Sequence, residues 1–209
     1  MKKFKVILLG DGGSGKSSVR KRFEGKEGEG KEGGQKKTVR GMKKAMTRKV
    51  VKLESGENVV LEVHDTGGME RYATIPRNYY VAVHGAMIVY DMTEKDTLEN
   101  APWWHREGER NGTDSAVYML VGNKVDAIKG GDVKVKAEKN KGREAADGFD
   151  AMYNAVSAKT GENINEAFLE LAQAMVDNGL GSTEGDGKRS SVPKITTKKT
   201  KKGGFCVLL

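Results

Sequence analysis

Eight residues near the start of the chain have the spacing of a phosphate-binding loop. The segment GDGGSGKS, from Gly10 to Ser17, follows an apolar stretch and precedes a segment of helical pattern. Glycines let consecutive backbone N–H groups turn inward around an anion, and the start of a helix adds its positive dipole. Lys16 is then expected to reach the β- and γ-phosphates, and the Ser17 hydroxyl to bind Mg²⁺. The residues predicted to surround the phosphates are Gly12, Gly13, Ser14, Gly15, Lys16, Ser17 and Ser18.

Two later segments have the residue types of a guanine reader. N-K-x-D, at Asn123 to Asp126, directly follows the apolar run Val117–Val121. A fixed carboxylate at Asp126 can accept hydrogen bonds from guanine N1–H and the 2-amino group, whereas adenine lacks that donor pair. An S-A-K triplet follows further along the chain. These motifs predict a guanine site made of Asn123, Lys124, Asp126, Ser157, Ala158 and Lys159.

With these motifs the chain resembles the Ras-superfamily small GTPases, closest to the Rab and Ras branches. DTGGMERY, from Asp65 to Tyr72, looks like the D-T-A-G-Q-E-R segment of switch II, and residues 78–91 match the helix and strand that follow it. The resemblance covers about residues 3–176. It implies an α/β fold, the P-loop NTPase G domain, with a six-stranded, mostly parallel sheet and helices on both faces.

The resemblance also implies an activity and its partners. Family members are monomeric switches that cycle between GTP and GDP, bind Mg²⁺, and meet protein effectors, an exchange factor and a GTPase-activating protein. By position, Asp65 would hold Mg²⁺ through a water, and the Gly68 backbone N–H would contact the γ-phosphate. Thr38 would be the switch I threonine that ligates Mg²⁺ in the GTP state, and the S-A-K backbone would contact guanine O6.

One departure from the family pattern bears on catalysis. The family places a water-orienting glutamine directly after the D-x-x-G glycine, where this chain has Met69. A thioether is a weak acceptor and no donor, so the predicted catalytic set of Lys16, Gly68 and Met69 should hydrolyse GTP slowly. A side chain elsewhere that positions the water remains an alternative. So does a nucleotide-locked or non-hydrolysing pseudo-GTPase adaptor.

The strands and helices that carry these residues are predicted from the distribution of apolar side chains. Short apolar runs alternate with longer mixed segments, which is typical of strand–helix–strand units around a parallel sheet. The predicted buried strands are Phe4–Leu9, Val59–Val63, Ala86–Asp91 and Val117–Val121. A hairpin is expected to join residues 45–53 to residues 58–63.

Helices are expected to begin near Lys16, Ile75, Asp96, Val135 and Asn163. In the last of these, Asn163 and Glu166 have the spacing of a capping box. An apolar stripe in the same helix predicts core packing, through Ile164, Ala167, Phe168, Leu171, Ala172 and Met175. Residues 24–37 and 128–143 contain few apolar side chains and are not expected to fold by themselves.

The positive charge of the chain is concentrated at one end. The formal net charge is +8, from 37 basic and 29 acidic residues. Seven basic and no acidic residues lie from Lys188 to Leu209, which leaves a net charge of +1 on residues 1–187. A domain that reads nucleic acid is therefore disfavoured. One cysteine excludes an intrachain disulfide, and the longest apolar runs are far shorter than a membrane-spanning helix.

The single cysteine has the position of a lipidation site. Cys206 begins the terminal sequence CVLL, which satisfies C-a-a-X, and a final leucine favours geranylgeranyl. One prenyl chain needs a second signal, which the lysines of residues 198–202 would supply by attraction to anionic lipid. We therefore predict a G domain over residues 1–178 and a flexible basic tail over residues 179–209. The tail would anchor the protein at the cytoplasmic face of the plasma membrane or an endomembrane.

Overall fold

A computed structural model describes residues 1–25, 46–67, 75–113, 115–128 and 131–181 of the chain. These described residues contain six strands and five α-helices. In chain order they are β1 (Lys3–Leu9), α1 (Lys16–Glu24), β2 (Met46–Lys52), β3 (Asn58–Asp65), β4 (Gly85–Asp91), α2 (Lys95–Glu99), α3 (Ala101–Gly108), β5 (Val117–Asn123), α4 (Gly131–Asp147), β6 (Met152–Ala155) and α5 (Ile164–Asp177). Residues Glu109–Thr113 continue α3 as a wider turn that is kinked at Gly112, whose φ is 109°. Short 3₁₀ turns cover Arg77–Tyr79 and Val125–Ala127.

The six strands form one mixed sheet in the order β2-β3-β1-β4-β5-β6. Only β2 runs antiparallel to its neighbour, and the hairpin β2–β3 agrees with the sequence prediction. The other pairs are parallel, with Leu8 opposite Asp65 and Asp91 opposite Asn123. The carboxyl ends of β1, β3, β4 and β5 therefore lie along one edge of the sheet. Ligands bind at this edge in open α/β sheets.

Two hydrophobic clusters cover the two faces of the sheet. Along β1, Phe4, Val6 and Leu8 enter one cluster, while Ile7 and Leu9 enter the other, as the period of two in a strand requires. Helices α1 and α5 pack on the first face, and α3 with part of α4 packs on the second. The six-stranded α/β fold predicted from the sequence is therefore confirmed.

Most predicted elements agree with the structure to within a few residues, and the apolar stripe of α5 is buried. The predicted capping box is wrong. Asn163 has a left-handed backbone with φ of 57°, makes no side-chain cap, and donates from Nδ2 to the Ala155 carbonyl at 2.9 Å. The side chain is therefore used to join the helix start to β6 rather than to satisfy the first turn.

Three other expectations need correction. Near Ile75 the described chain has only the 3₁₀ turn Arg77–Tyr79, because Pro76 has an extended backbone directly before it. Most of residues 128–143 lies in helix α4, which begins at Gly131 rather than Val135. Helix α4 packs closely on the sheet, since a β-carbon on Gly142 would lie 2.3 Å from the Tyr90 hydroxyl. Packing thus stabilises a helix that its apolar content alone does not predict.

No helix among the described residues is both long and apolar enough to cross a membrane. Strand β6 has no counterpart among the strands predicted from apolar runs, because Asn154 interrupts its four residues and they form no continuous apolar run. Beyond Gly181 the predicted tail lies outside the described residues.

Candidate functional site

The loop between β1 and α1 is built on close backbone approaches. A β-carbon on Gly10 would lie 2.1 Å from the Val89 carbonyl oxygen, and one on Gly15 would lie 2.2 Å from Asn123 Nδ2. Both glycines also have positive φ, of 129° and 97°. A side chain is therefore excluded at both positions, since the loop is pressed against β4 on one side and against the end of β5 on the other.

The outer surface of the same loop is open. Gly12 and Gly13 are exposed, and a β-carbon on Gly13 would have no neighbour within 4 Å. Lys16 is buried, and its ammonium donates to the carbonyls of Gly10 and Asp11 at 2.7 Å each. The cation is thus held within the loop, at the start of helix α1. The open backbone and the fixed positive charge fit an anionic group.

A second contact fixes the loop from the side of α3. The Asp11 carboxylate accepts hydrogen bonds from Trp104 Nε1 at 2.7 Å and from Asn100 Nδ2 at 2.8 Å. Trp104 itself is buried in the core beneath α3. Asp11 was not among the residues predicted from the sequence, because the variable positions of the G-x-x-x-x-G-K-[ST] pattern carry no signal for such a contact.

Oxygen atoms from α1 and β3 meet beside the phosphate loop. A β-carbon on Gly67 would lie 2.4 Å from Ser17 Oγ and 2.9 Å from Asp65 Oδ1, so these atoms surround one point. The Gly67 N–H donates to Asp65 Oδ1 at 2.8 Å, and the Thr66 hydroxyl donates to the Leu8 carbonyl at 2.6 Å. Hydroxyl and carboxylate oxygens are the ligand types that Mg²⁺ prefers, so Ser17 and Asp65 fit that ion.

Within the described ranges, no three His, Cys, Asp or Glu side chains come together as a metal cage. A cation beside Ser17 and Asp65 would need further oxygens from a phosphate group and from water, which is the usual arrangement for Mg²⁺. The donor set therefore fits a metal held jointly by the protein and a bound phosphate.

The segment after β5 is tied to both neighbouring loops. Asn123 is buried; its Nδ2 donates to the Ser14 carbonyl at 2.9 Å, and its Oδ1 accepts from the Ala158 N–H at 3.0 Å. The Ser157 hydroxyl donates to Asp126 Oδ1 at 2.6 Å. One asparagine thus joins the phosphate loop, the N-K-x-D segment and the S-A-K loop into a single unit.

Charged contacts hold the neighbours of this unit. Lys159 Nζ lies 3.7 Å from Asp126 Oδ2, and Lys124 Nζ pairs with Asp91 at the end of β4. Burial raises the pKa of Asp91, but hydrogen bonds from Lys124 and Thr93 outweigh it and hold that pKa below its ordinary value. The Asp91 carboxylate is therefore ionised at neutral pH and can anchor Lys124.

The comparison with known proteins identifies the chain. A family model described as the Ras family matches residues 5–177. The chain belongs to the Ras family. It is 31% identical to the GTP-binding protein ypt1 of Schizosaccharomyces pombe, over 92% of this chain and 89% of that protein. Identity to the Ras-related protein Rab-1A of Dictyostelium discoideum is 30%, over 97% of this chain and 96% of that protein. Identity to the Ras-related protein Rab-19 of Bos taurus is 34%, over 93% of this chain and 85% of that protein.

The family membership gives this Ras-family chain a general function. It is a small GTPase of the Ras and Rab type, a class of GTP-binding switches that act in trafficking or signalling. Proteins of this class bind a guanine nucleotide, typically with Mg²⁺. The arrangement of Lys16, Asp65 and Asn123 at one sheet edge is consistent with that class.

Arg22, like Asp11, contributes to the site without having been predicted from the sequence. Arg22 on α1 donates from Nε to the Ala158 carbonyl at 3.0 Å and from its guanidinium to the Lys159 carbonyl. Arg22 therefore fixes the S-A-K loop through its backbone carbonyls. An arginine in a basic helix gives no sequence signal for this contact, which depends on how α1 packs beside the loop after β6.

The structure brings most predicted site residues of this Ras-family chain to the same sheet edge. Residues Gly12 to Ser18, Asp65, Asn123 to Asp126, and Ser157 to Lys159 are all described there. Thr38, Gly68, Met69 and Cys206 lie outside the described residues. The individual roles of all these residues in nucleotide binding stay predictions.

Proposed function

We propose that this protein binds GTP and GDP at the edge formed by the phosphate loop, Asp65 and the N-K-x-D and S-A-K loops. The observation that carries the proposal is the double hydrogen bond of Asn123, to Ser14 and Ala158. A phosphate-binding loop and a base-reading loop linked by one side chain are suited to a ligand with both groups. The protein is proposed to act as a monomer, without nucleic acid as a partner.

Each part of the site has a proposed task. The N–H groups of Gly13 to Ser18 and the Lys16 ammonium bind and orient the phosphates. Asp126 accepts from guanine and so excludes adenine. Ser17, Asp65 through a water, and Thr38 in the GTP state hold Mg²⁺, which when bound offsets the negative charge of the phosphates. The Gly68 N–H contacts the γ-phosphate.

The proposal of slow GTP hydrolysis rests on Met69. A thioether cannot donate a hydrogen bond to the attacking water, so this side chain does not orient the nucleophile as a glutamine does. Nucleotide binding does not depend on this residue. We therefore propose a switch that spends a long time in the GTP state. The same substitution favours a second candidate function, a non-hydrolysing adaptor that recognises partners in one fixed nucleotide state.

The nucleotide carried by the purified protein separates these functions. Protein is denatured after purification and the released nucleotide is identified by chromatography. Bound GDP is expected of a cycling GTPase, and bound GTP of one with very slow hydrolysis. Absence of any guanine nucleotide, both as purified and after incubation with excess GTP and Mg²⁺, would contradict the proposal.

Met69→Gln tests the catalytic argument directly. Single-turnover hydrolysis of GTP is expected to be at least tenfold faster in this variant than in the wild type, because one oriented water is restored. Met69→Leu is the matched control, since it keeps the volume and adds no hydrogen-bonding group. Equal rates in the wild type and Met69→Gln would show that another group positions the water.

We further propose that the chain is divided into a G domain over residues 1–178 and a tail over residues 179–209 that anchors it to a membrane. The support is the C-a-a-X pattern at Cys206 together with the basic residues Lys198, Lys199, Lys201 and Lys202. A geranylgeranyl chain and a polybasic segment together give stable binding where one alone does not. The proposed location is the cytoplasmic face of the plasma membrane or an endomembrane. Effectors, an exchange factor and a GTPase-activating protein are the proposed partners there.

A further inference from the structure

An arginine is buried directly behind the proposed metal position. Arg20 is on α1, three residues after Ser17, and is 6% exposed. Its neighbours Val19 and Phe23 enter the hydrophobic core, so an apolar residue would suit this position by packing alone. Burying a cation is costly unless it is paired and hydrogen-bonded. The partners of Arg20 therefore indicate what it does.

Those partners include the carboxylate proposed to hold Mg²⁺ through water. Arg20 Nε lies 3.4 Å from Asp65 Oδ2, and both side chains are less than one-tenth exposed. The other oxygen of Asp65, Oδ1, accepts from the Gly67 N–H and faces the point near Ser17. One carboxylate is thus shared between a fixed cation of the protein and the position where a metal would bind.

A second acid competes for the same guanidinium. Arg20 Nη1 lies 3.3 Å from Glu24 Oε2 and donates to the buried Thr47 hydroxyl at 2.7 Å, and that hydroxyl lies 3.2 Å from Glu24 Oε2. Arg20, Glu24 and Asp65 together carry a net charge of −1. Glu24 therefore reduces the hold of Arg20 on Asp65, and Thr47 fixes the guanidinium between the two acids.

We propose that Arg20 is a positioning residue that lowers the affinity of the nucleotide site for Mg²⁺ by pairing with Asp65, and that Glu24 opposes this effect. The inference rests on the proposed guanine-nucleotide site. In this arrangement the guanidinium neutralises part of the negative charge of Asp65 that a bound metal would otherwise neutralise. Half-maximal nucleotide retention in this protein therefore requires a comparatively high Mg²⁺ concentration.

The proposal predicts opposite changes for two substitutions. Arg20→Met keeps length and removes the charge, so Asp65 becomes free to hold the metal. Glu24→Gln removes the competing acid, so Arg20 pairs more strongly with Asp65. Loss of packing would move both variants in the same direction, which makes the opposite signs diagnostic of charge.

The measurement is the dissociation rate of a fluorescent GDP analogue from the full-length protein, titrated with Mg²⁺. Its readout is the Mg²⁺ concentration that gives half-maximal retention. We expect this concentration to fall about tenfold in Arg20→Met, because Asp65 loses an adjacent opposite charge, and partners behind a metal ligand change metal affinity by about 10–100-fold. It should rise in Glu24→Gln and stay near the wild-type value in Arg20→Lys.

Two further variants keep the test decisive. Arg48→Met removes an exposed arginine of β2 that pairs with Glu62, and should leave the midpoint unchanged. Arg20→Met combined with Glu24→Gln restores the charge balance if the single variant folds poorly, and should also lower the midpoint. Equal midpoints in the wild type, in Arg20→Met and in the double variant would overturn the inference alone. Failure of the wild type to bind the GDP analogue at saturating Mg²⁺ would overturn the proposed function as well.

Discussion

Asn123 shows how a single side chain can assemble a binding site. Its amide reaches the phosphate loop at Ser14 through Nδ2 and the S-A-K loop at Ala158 through Oδ1. Gly15 makes this possible, since any β-carbon there would collide with the amide. The glycine and the asparagine are 108 residues apart in numbering but form one interlocked contact. Such a residue orders the site before any ligand arrives, which favours affinity.

Replacing Asn123 should therefore weaken nucleotide binding and speed the dissociation of GDP. Asn123→Ala removes two hydrogen bonds, each worth about 0.5–1.5 kcal/mol net, so GDP dissociation should be about tenfold faster or more. Stopped-flow fluorescence with a labelled GDP measures the rate. Asn154→Ala is the control, because that amide donates to Glu170 at the surface, away from the site. A rate within twofold of the wild type would contradict the bridging role.

His84 is a single residue with a consequence for pH. Its Nδ1 accepts from the Lys5 N–H at 3.0 Å, and its ring packs edge-on against Phe4. Burial, and to a lesser degree the charge of Lys5, hold the pKa of His84 below 6.5. The unfolded chain then binds the proton more readily than the folded one. The stability that neutral His84 contributes is complete above about pH 6.5 and is lost as the pH falls below that value.

We expect the free energy of unfolding to decrease from pH 7 to pH 5 in the wild type, and less steeply in His84→Asn. Asparagine Oδ1 can still accept from Lys5 but does not titrate. The slope should be smaller by up to about 1.4 kcal/mol per pH unit. Urea unfolding at several pH values, at fixed GDP and Mg²⁺, measures it. His64 and His105, whose pKa values burial also lowers, remain in the variant and keep part of the slope. Identical slopes would contradict the argument.

At the scale of elements, α1 and α5 are joined by an aromatic contact in the core that fixes the position of α1. Phe23 and Phe168 are fully buried and stack with ring centroids 3.9 Å apart. Lys49 of β2 lies 4.4 Å from the Phe23 centroid on the outer side. Helix α1 carries Lys16, Ser17 and Arg20 on turns before this contact, so the stack fixes where those side chains point.

Phe168→Ala should lower the free energy of unfolding by about 3–5 kcal/mol, because it leaves a cavity in a packed core. Urea unfolding with GDP present gives the value. Glu166→Ala is the matched control on the same helix: it is exposed and makes no capping box, so less than about 1 kcal/mol is expected. A large loss in the control would instead restore a capping role for Glu166, and a small loss in Phe168→Ala would contradict the packing argument.

At the scale of the whole molecule, charge is divided between two parts of the chain. Residues 1–187 have a net charge of +1, and residues 188–209 carry the other seven positive charges next to the single cysteine. A nearly neutral body does not attract polyanions by its overall field, so the loop geometry must select the nucleotide. In the anchoring proposed above, the cationic segment would act on anionic membranes without affecting that selection.

Cys206→Ser is therefore expected to abolish membrane partitioning in cells and leave GDP affinity unchanged. Substitution of Lys198, Lys199, Lys201 and Lys202 by Gln should weaken partitioning by about 1 kcal/mol per residue, since each basic residue contributes that much near an anionic surface. Cell fractionation and mass spectrometry of the modified cysteine provide the measurements. Unchanged partitioning of Cys206→Ser would contradict the anchoring proposal.

The linear pattern of residues was enough to predict the family, the six-stranded α/β fold and the order of the chemical motifs. This was possible because loops such as Gly10 to Ser17 are local: the residues that act together are adjacent along the chain. Short continuous apolar runs likewise identify buried strands without knowledge of their neighbours. The predicted capping box at Asn163 shows the limit of local patterns, since spacing alone does not reveal that another element needs the side chain.

The distant side chains that complete the site could be assigned only from the three-dimensional arrangement of the elements. The contacts of Arg22 with the S-A-K loop, of Asp11 with Trp104 and of Arg20 with Asp65 join residues 45 to 137 positions apart. They depend on the order of strands in the sheet and on where α1 and α3 pack against it. Side-chain contacts act over a few ångströms, so residue type and spacing cannot predict them until packing has fixed the positions of the elements.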